Sequence, residues 1–211
     1  MATESINTPT GRMAYPYLFA PRTNEKTGKT AYEINVVIPK TADLMPLRKI
    51  IRDAIVEKWG EDKAKWPPNL RRLDLKSHLS VDGKDGFPLR DGDESLDKTT
   101  GEPRQGYEGC VYFCARTIKY PPGVVDHNVQ RVLDPKQVFG GRRCNVQVNA
   151  YGYDNESRGV SIGLQNVQIL PDDGTRWGGA PPKAEAAFKP VSDGSDDPSN
   201  YPATGTDDDG F

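Results

Sequence analysis

Apolar and polar residues alternate in five separate stretches of this chain. From Thr30 to Ile38, Tyr32, Ile34, Val36 and Ile38 alternate with Ala31, Glu33, Asn35 and Val37, a period of two that predicts a strand. Gly109–Lys119 sets Val111, Phe113 and Ala115 on one face and Tyr112, Cys114 and Arg116 on the other. Arg142–Tyr153 turns Cys144, Val146, Val148 and Ala150 one way, and Arg143, Asn145, Gln147, Asn149, Tyr151 and Tyr153 the other. Gly159–Leu170 runs Val160, Ile162, Leu164, then changes phase to Val167 and Ile169, which predicts a bulge. Met13–Phe19 is extended, with Met13, Tyr15, Tyr17 and Phe19 on one side, and Pro16 makes it an edge or bulged strand.

One segment has the other period. Leu44, Leu47, Ile50, Ile51, Ala54, Ile55 and Trp59 follow helical spacing, so a helix is expected from Thr41-Ala42-Asp43 to about Trp59, stopped by Gly60. Asp62 to Arg104 reads mostly as loop, with short strand candidates over residues 73–81. Within it, Asp91-Gly92-Asp93-Glu94 reads as a turn rather than a calcium loop, because the twelve-residue ligand pattern is missing. The expected fold is mainly β: an open barrel of the OB type, about five strands with one helix and long loops. An antiparallel sandwich is the alternative. Residues 1–10 are polar and expected to be flexible, 11–177 form the domain, and 178–211 form a disordered tail.

Composition agrees with the β reading: 21 Gly and 18 Pro in 211 residues interrupt helices too often for a bundle. No run approaches the ~20 apolar residues of a membrane span, and Met1–Ser5 lacks the basic and apolar regions of a secretory signal. A cytosolic chain without membrane contact is therefore expected. The three cysteines do not make a disulfide framework, since Cys110 and Cys114 stand ~13 Å apart along one strand. With His78 and His127 isolated and no CxxC, no metal site is expected. Phosphate-loop, dinucleotide, metalloprotease and nucleophile-elbow motifs are all missing, so the chain reads as non-enzymatic, without cofactor.

Charge divides the chain. Val191–Phe211 holds six aspartates and no Lys or Arg; setting them aside leaves 24 acidic against 28 basic residues, a net +4 over the first 190. A basic body with an acidic tail fits a nucleic-acid partner, or merely a solubilising tail. The aromatic residues sharpen this. Tyr112, Arg116 and Tyr120 share one strand face, and Arg143, Tyr151 and Tyr153 share another, each opposite the apolar side. Taken singly, a tyrosine is a good strand former. Beside Arg and Lys, the set makes a platform on which bases stack while cations neutralise phosphates. The candidate binding residues are Arg12, Tyr15, Tyr17, Phe19, Tyr112, Arg116, Lys119, Tyr120, Arg142, Arg143, Tyr151 and Tyr153.

Gly11-Arg12-Met13-Ala14-Tyr15-Pro16-Tyr17-Leu18-Phe19-Ala20-Pro21 resembles the opening of a family of bacteriophage single-stranded DNA-binding proteins, formerly a domain of unknown function. The likeness continues through Ile38-Pro39-Lys40, Pro88–Asp93, Gly106–Gly109, Pro122–Asp126, Phe139-Gly140-Gly141 and Ala150-Tyr151, covering roughly residues 11–177. The resemblance implies an OB-type fold, sequence-independent binding of single-stranded DNA, and a role in phage replication or recombination inside the infected bacterial host. Asp207, Asp208, Asp209 and Phe211 resemble the acidic, aromatic-ended tails of single-strand binders, which implies docking of replication partners or competition for the groove. Two rivals stand beside this reading: an RNA binder or nucleic-acid chaperone, and a structural phage protein using the aromatic face as a protein interface.

Overall fold

The five alternating segments form strands, and the apolar sides of four of them turn to a common interior. A computed structural model describes residues 2–25, 28–97 and 100–178; the tail, with Asp207, Asp208, Asp209 and Phe211, lies outside the described residues. In chain order the elements are β1 (Ile6–Asn7), β2 (Gly11–Thr23), β3 (Thr30–Pro39), α1 (Met45–Trp59), a short α2 (Pro68–Arg71), β4 (Arg90–Asp91), β5 (Cys110–Thr117), β6 (Gly123–Val125), β7 (Arg143–Asp154) and β8 (Arg158–Ile169). The expected mainly β class with one main helix is what forms.

Pairing follows β7–β2–β3–β5–β8 and returns to β7, so the five long strands make a cycle. It is thin at two seams. β2 meets β7 only at Gly11 opposite Cys144 and Arg12 opposite Arg143, and β5 meets β8 in parallel at Ala115 opposite Ile162 and Arg116 opposite Gly163. The sheet is thus an incompletely closed barrel. Its interior holds Met13, Ile34, Val36, Phe113, Val146, Val148 and Ile162, all fully buried, and α1 contributes Leu47, Ile51 and Ile55. Burying such side chains contributes ~1.5–3 kcal/mol each.

The helix starts later than the pattern suggests. Met45 opens it, Pro46 sits in its first turn, and the Asp43 carboxylate accepts the Met45 N–H at 2.9 Å. At its end Gly60, at φ +86°, donates to the Val56 carbonyl. Arg48, almost fully buried, donates to the carbonyls of Leu75 and His78 and so ties the following loop to α1. That loop makes no strand over residues 73–81 beyond a single bridge, Ser80 to Arg90, because its polar groups are spent on local turns and on Arg48.

Register slips in β2 and β8 shape the outer face, with a second slip in β2 between Tyr17 and Arg22. The phase change in β8 is a register slip against β7, where Gln147 opposes Asn166 but Val148 opposes Leu164. In β2 the first slip falls between Ala14 and Tyr17, with Tyr15 at φ +49°. That bulge breaks the expected common side: Met13 and Leu18 go to the core, while Tyr15 and Phe19 are exposed.

The N-terminal segment also departs from expectation. Residues 3–8 run along β7, with Thr3 and Thr8 each exchanging backbone and hydroxyl hydrogen bonds with Ala150 and Val146. The polar composition that suggested looseness supplies these hydroxyl acceptors. Lys40 Nζ sits 2.6 Å from Asp91 and 2.7 Å from Asp93, so an ammonium holds the Asp91–Glu94 turn.

Candidate nucleic-acid interface

Residues opposed across a sheet share a face, and the outer rows of this sheet can be followed strand by strand. One row runs Tyr17 (β2), Glu33 (β3), Arg116 (β5), Gly163 (β8), Asn149 (β7). Four strand spacings of ~4.8 Å make it about 19 Å long. On the next positions of β7, Tyr151 opposes Ser161 and Tyr153 opposes Gly159. The outward side of β8 is therefore Gly159, Ser161, Gly163.

That run of small residues lets the neighbouring β7 side chains lie across β8. A Cβ on Gly163 would stand 2.2 Å from Asn149 Oδ1 and 3.7 Å from the Tyr151 ring, and one on Gly159 would stand 2.7 Å from the Tyr153 hydroxyl. The result is a cleft of about 910 Å³, lined by Lys29, Arg90, Cys114, Arg116, Tyr151 and Tyr153 among others. Glu156 is the one acidic residue among its described lining residues. Burial pushes the Cys114 thiol pKa up, which keeps it neutral and adds no negative charge to the cleft. Further along the face the Arg22 guanidinium lies 5.4 Å from the Tyr17 ring and that of Arg104 lies 5.7 Å from the Tyr15 ring. Arg22 is also paired with Glu33 at 3.7 Å. Aromatic faces beside cations can take bases and phosphates together.

The opposite end of the domain is chemically different. There Arg12 makes a two-pronged ion pair with Asp173 and donates to the Gly141 carbonyl at 2.7 Å. Arg176 grips Asp172 in the same manner and stacks over Phe139 at 3.6 Å. Trp177 hydrogen-bonds Gly140 and packs beside Tyr107. Arg176 holds the Asp172 pKa down to about 2, and Arg12 holds that of Asp173 further below the usual carboxylate range. The segment 171–177 is thus fastened to the domain by the Arg12–Asp173 pair and the Trp177–Gly140 hydrogen bond, while Arg176 and Asp172 brace it internally.

The family described as Enterobacter phage Enc34, ssDNA-binding protein, matches residues 4–199 of this chain. The chain belongs to this family. A relative, protein p50 of Acyrthosiphon pisum secondary endosymbiont phage 1, is 32% identical over 171 residues, which is 80% of this chain and 84% of p50. The single-stranded DNA-binding protein from bacteriophage Enc34, solved in complex with ssDNA, is similar in fold: TM-score 0.58 at 20% identity, covering 80% of this chain and 87% of that one. Bacteriophage T7 gp2.5, a single-stranded DNA binding protein, aligns at TM-score 0.50 and 13% identity.

In this member of the Enc34 family, the expected contact residues divide. Arg116, Tyr151 and Tyr153 meet at the cleft, and Tyr17 joins their row. Tyr15 and Phe19 are exposed on β2, and Lys119 and Tyr120 are exposed just beyond β5, with the ammonium 5.1 Å from the ring. Arg143 is exposed but lies in a second, smaller cleft with Arg12 and Trp177. Three expectations need correction. Tyr112 is 7% exposed and packs edge-on to Tyr107 at 4.9 Å, in a small cluster with Ala14 and Val37. Polar alternation placed it outward, but the loop carrying Tyr107 covers that position. Arg12 and Arg142 are engaged within the domain, Arg12 by Asp173 and Arg142, which lies just before β7, by the Leu170 carbonyl. Lys29, Arg22, Arg90 and Arg104 were missed: Lys29 and Arg104 lie in loops, Arg22 at the end of β2 beyond its bulge, and Arg90 in the two-residue β4, none of which carries a periodic pattern. His78 is no isolated histidine either: it pairs with Asp85 at 2.7 Å, edge-on to Phe87.

Proposed function

We propose that this protein binds single-stranded DNA without regard to sequence and acts, without catalysis, in phage DNA replication or recombination in the cytoplasm of the infected bacterium. Bases stack on Tyr151 and Tyr153, with Tyr17 extending the row, while Arg116, Lys29, Arg22 and Arg104 neutralise phosphates. The observation that carries this reading is the cleft itself: two tyrosines beside the Gly-Ser-Gly run of β8, lined by Lys29, Arg90 and Arg116, with Glu156 the one acidic residue among its described lining residues and Glu33 opposite Arg116 on β3. Nothing in it offers a fixed set of polar groups to read one base, which is why sequence should matter little. The domain from residue 11 to 177 carries the binding, and the acidic tail competes for the groove at low salt or recruits replication partners.

The test is a titration of fluorescent oligo-dT by anisotropy across a salt series. About four phosphate contacts give a log–log slope of ~−3, at ~0.7 per phosphate on a single strand. A flat salt response, or equal affinity for a duplex of the same length, contradicts the reading. RNA of the same sequence is the competitor that separates DNA from RNA preference, since stacking alone does not distinguish the sugars.

A further inference from the structure

Five arginines among the described residues are withdrawn from solvent at least in part: Arg12, Arg48, Arg90, Arg104 and Arg142. Four of them have acceptors within the protein. Arg12 holds Asp173, Arg48 donates to the carbonyls of Leu75 and His78, Arg104 to that of Leu96, and Arg142 to that of Leu170. Arg90 differs. Its Nε is enclosed and has no hydrogen-bond partner, and no described carboxylate pairs with its guanidinium. A guanidinium carries five donors and cannot shed its charge. With Nε enclosed, the terminal Nη groups are the donors that an acceptor entering the cleft would meet.

The surroundings hold this side chain at the cleft. Arg90 lies on β4 opposite Tyr112, and its guanidinium carbon is 5.8 Å from that ring's centroid. On the loop before β4, Gly83 sits at φ +73° with its N–H donated to Ser80 Oγ. A Cβ there would stand 2.6–2.7 Å from Nη2, Cζ and Nε of Arg90. The guanidinium therefore rests against bare glycine backbone and an aromatic ring that Tyr107 buttresses in turn. It lines the same cleft as Arg116, Tyr151 and Tyr153.

We propose that Arg90 grips an internucleotide phosphate of the strand lying in this cleft, with Gly83 and Tyr112 as its positioning residues; this rests on the single-strand reading above. A phosphodiester is the ligand class that fits. Its two charged oxygens match the planar fork of a guanidinium, and it recurs at every nucleotide whatever the base. Because the fork is already held, little side-chain freedom is lost on binding.

The experiment compares full-length wild type, Arg90→Ala, Arg90→Lys and Gly83→Ala by oligo-dT anisotropy across a salt series, with melting curves on each. Arg90→Ala should bind about ten- to a hundredfold more weakly, the range of a charge-assisted hydrogen bond. Its salt slope should be shallower by ~0.7, one phosphate. Arg90→Lys should keep the slope but lose affinity, having charge without the fork. Gly83→Ala keeps every charge yet displaces the guanidinium, so it should weaken binding too. If Arg90→Ala melts below the assay temperature, the lysine and Gly83 variants decide. Weaker binding of Arg90→Ala with an unchanged slope would assign Arg90 to a base and overturn the phosphate contact. Wild-type affinity in the folded Arg90 variants overturns the inference while leaving the single-strand reading intact. A wild type that does not bind oligo-dT fails that reading itself.

Discussion

Two tyrosines that look alike in the alternating pattern should behave in opposite ways when truncated. Tyr151 lies half-exposed on the outer face of β7 at the cleft, opposite Ser161, and Tyr112 lies 7% exposed against Tyr107, Ala14 and Val37. Tyr151→Ala removes a half-exposed ring that is not part of the hydrophobic core, so the melting temperature should stay within a few degrees. Its binding loss should be ~1–3 kcal/mol, the value of one stacked base, or roughly five- to 150-fold in Kd. Tyr112→Ala empties a covered site. Truncation of a buried aromatic residue costs ~3–5 kcal/mol. At ~2–4 °C per kcal/mol for a chain of this size, the melting temperature should drop by about 6–20 °C. Where Tyr112→Ala remains folded, its affinity should fall no further than that of Arg90→Ala, since its covered ring acts on the bound strand only through Arg90. The assay is differential scanning fluorimetry with oligo-dT anisotropy at one low temperature, where both variants are folded. A cool-melting Tyr151→Ala with wild-type affinity, beside a stable Tyr112→Ala that binds poorly, would refute the face assignment.

Other perturbations follow from the same geometry. Gly163→Val should weaken binding several-fold without a matching loss of stability, because its side chain forces Asn149 and Tyr151 off the β8 floor; unchanged anisotropy titrations would contradict this. Asp172 and Asp173 have pKa values depressed by Arg176 and Arg12, so their ion pairs contribute stability above the ordinary carboxylate pKa and lose it as pH falls through the depressed values. Melting temperatures between pH 5 and 2 should therefore fall less steeply in Asp172→Asn/Asp173→Asn than in wild type, and parallel curves would refute the clamp. Deleting Val191–Phe211 should raise affinity for oligo-dT most at about 50 mM salt, where charges act over longer range, with little change at about 300 mM; equal affinities at low salt would leave the tail to partner docking or solubility.

The strands were legible because each has one face against the core, and burial on one side imposes a period of two. β3, β5, β7 and β8 lie within two residues of where the pattern puts them, and even the bulge in β8 shows as a phase change at Val167. Helix α1 was legible for the same reason at its own period. Faces were less legible than strands. Alternation says which side chains leave the barrel, but not what the loops lay over them, and so Tyr112 reads as exposed although Tyr107 covers it. Charge partners were hidden as well: Arg12 and Asp173 are 161 residues apart, and no local pattern joins them. Arg90 and Gly83 stand in a stretch whose structure comes from turns and side-chain hydrogen bonds, and their proximity depends on tertiary folding alone. The resemblance to the phage family reached further than the pattern, since it spans those loops, but it assigned no contacts within them.

The central claim is that the outer face of β5, β7 and β8 is where the strand lies, and photochemical cross-linking tests it most directly. Oligo-dT carrying one 5-iododeoxyuridine, irradiated on the full-length protein and followed by tryptic peptide mapping, reports which rings touch bases. Cross-links should concentrate on the peptide from Cys144 to Arg158, at Tyr151 and Tyr153, and disappear when both are changed to leucine. Cross-links concentrated instead at Trp177 and Phe139, beside the Arg12–Asp173 clamp, would place the strand at the other end of the domain and contradict it.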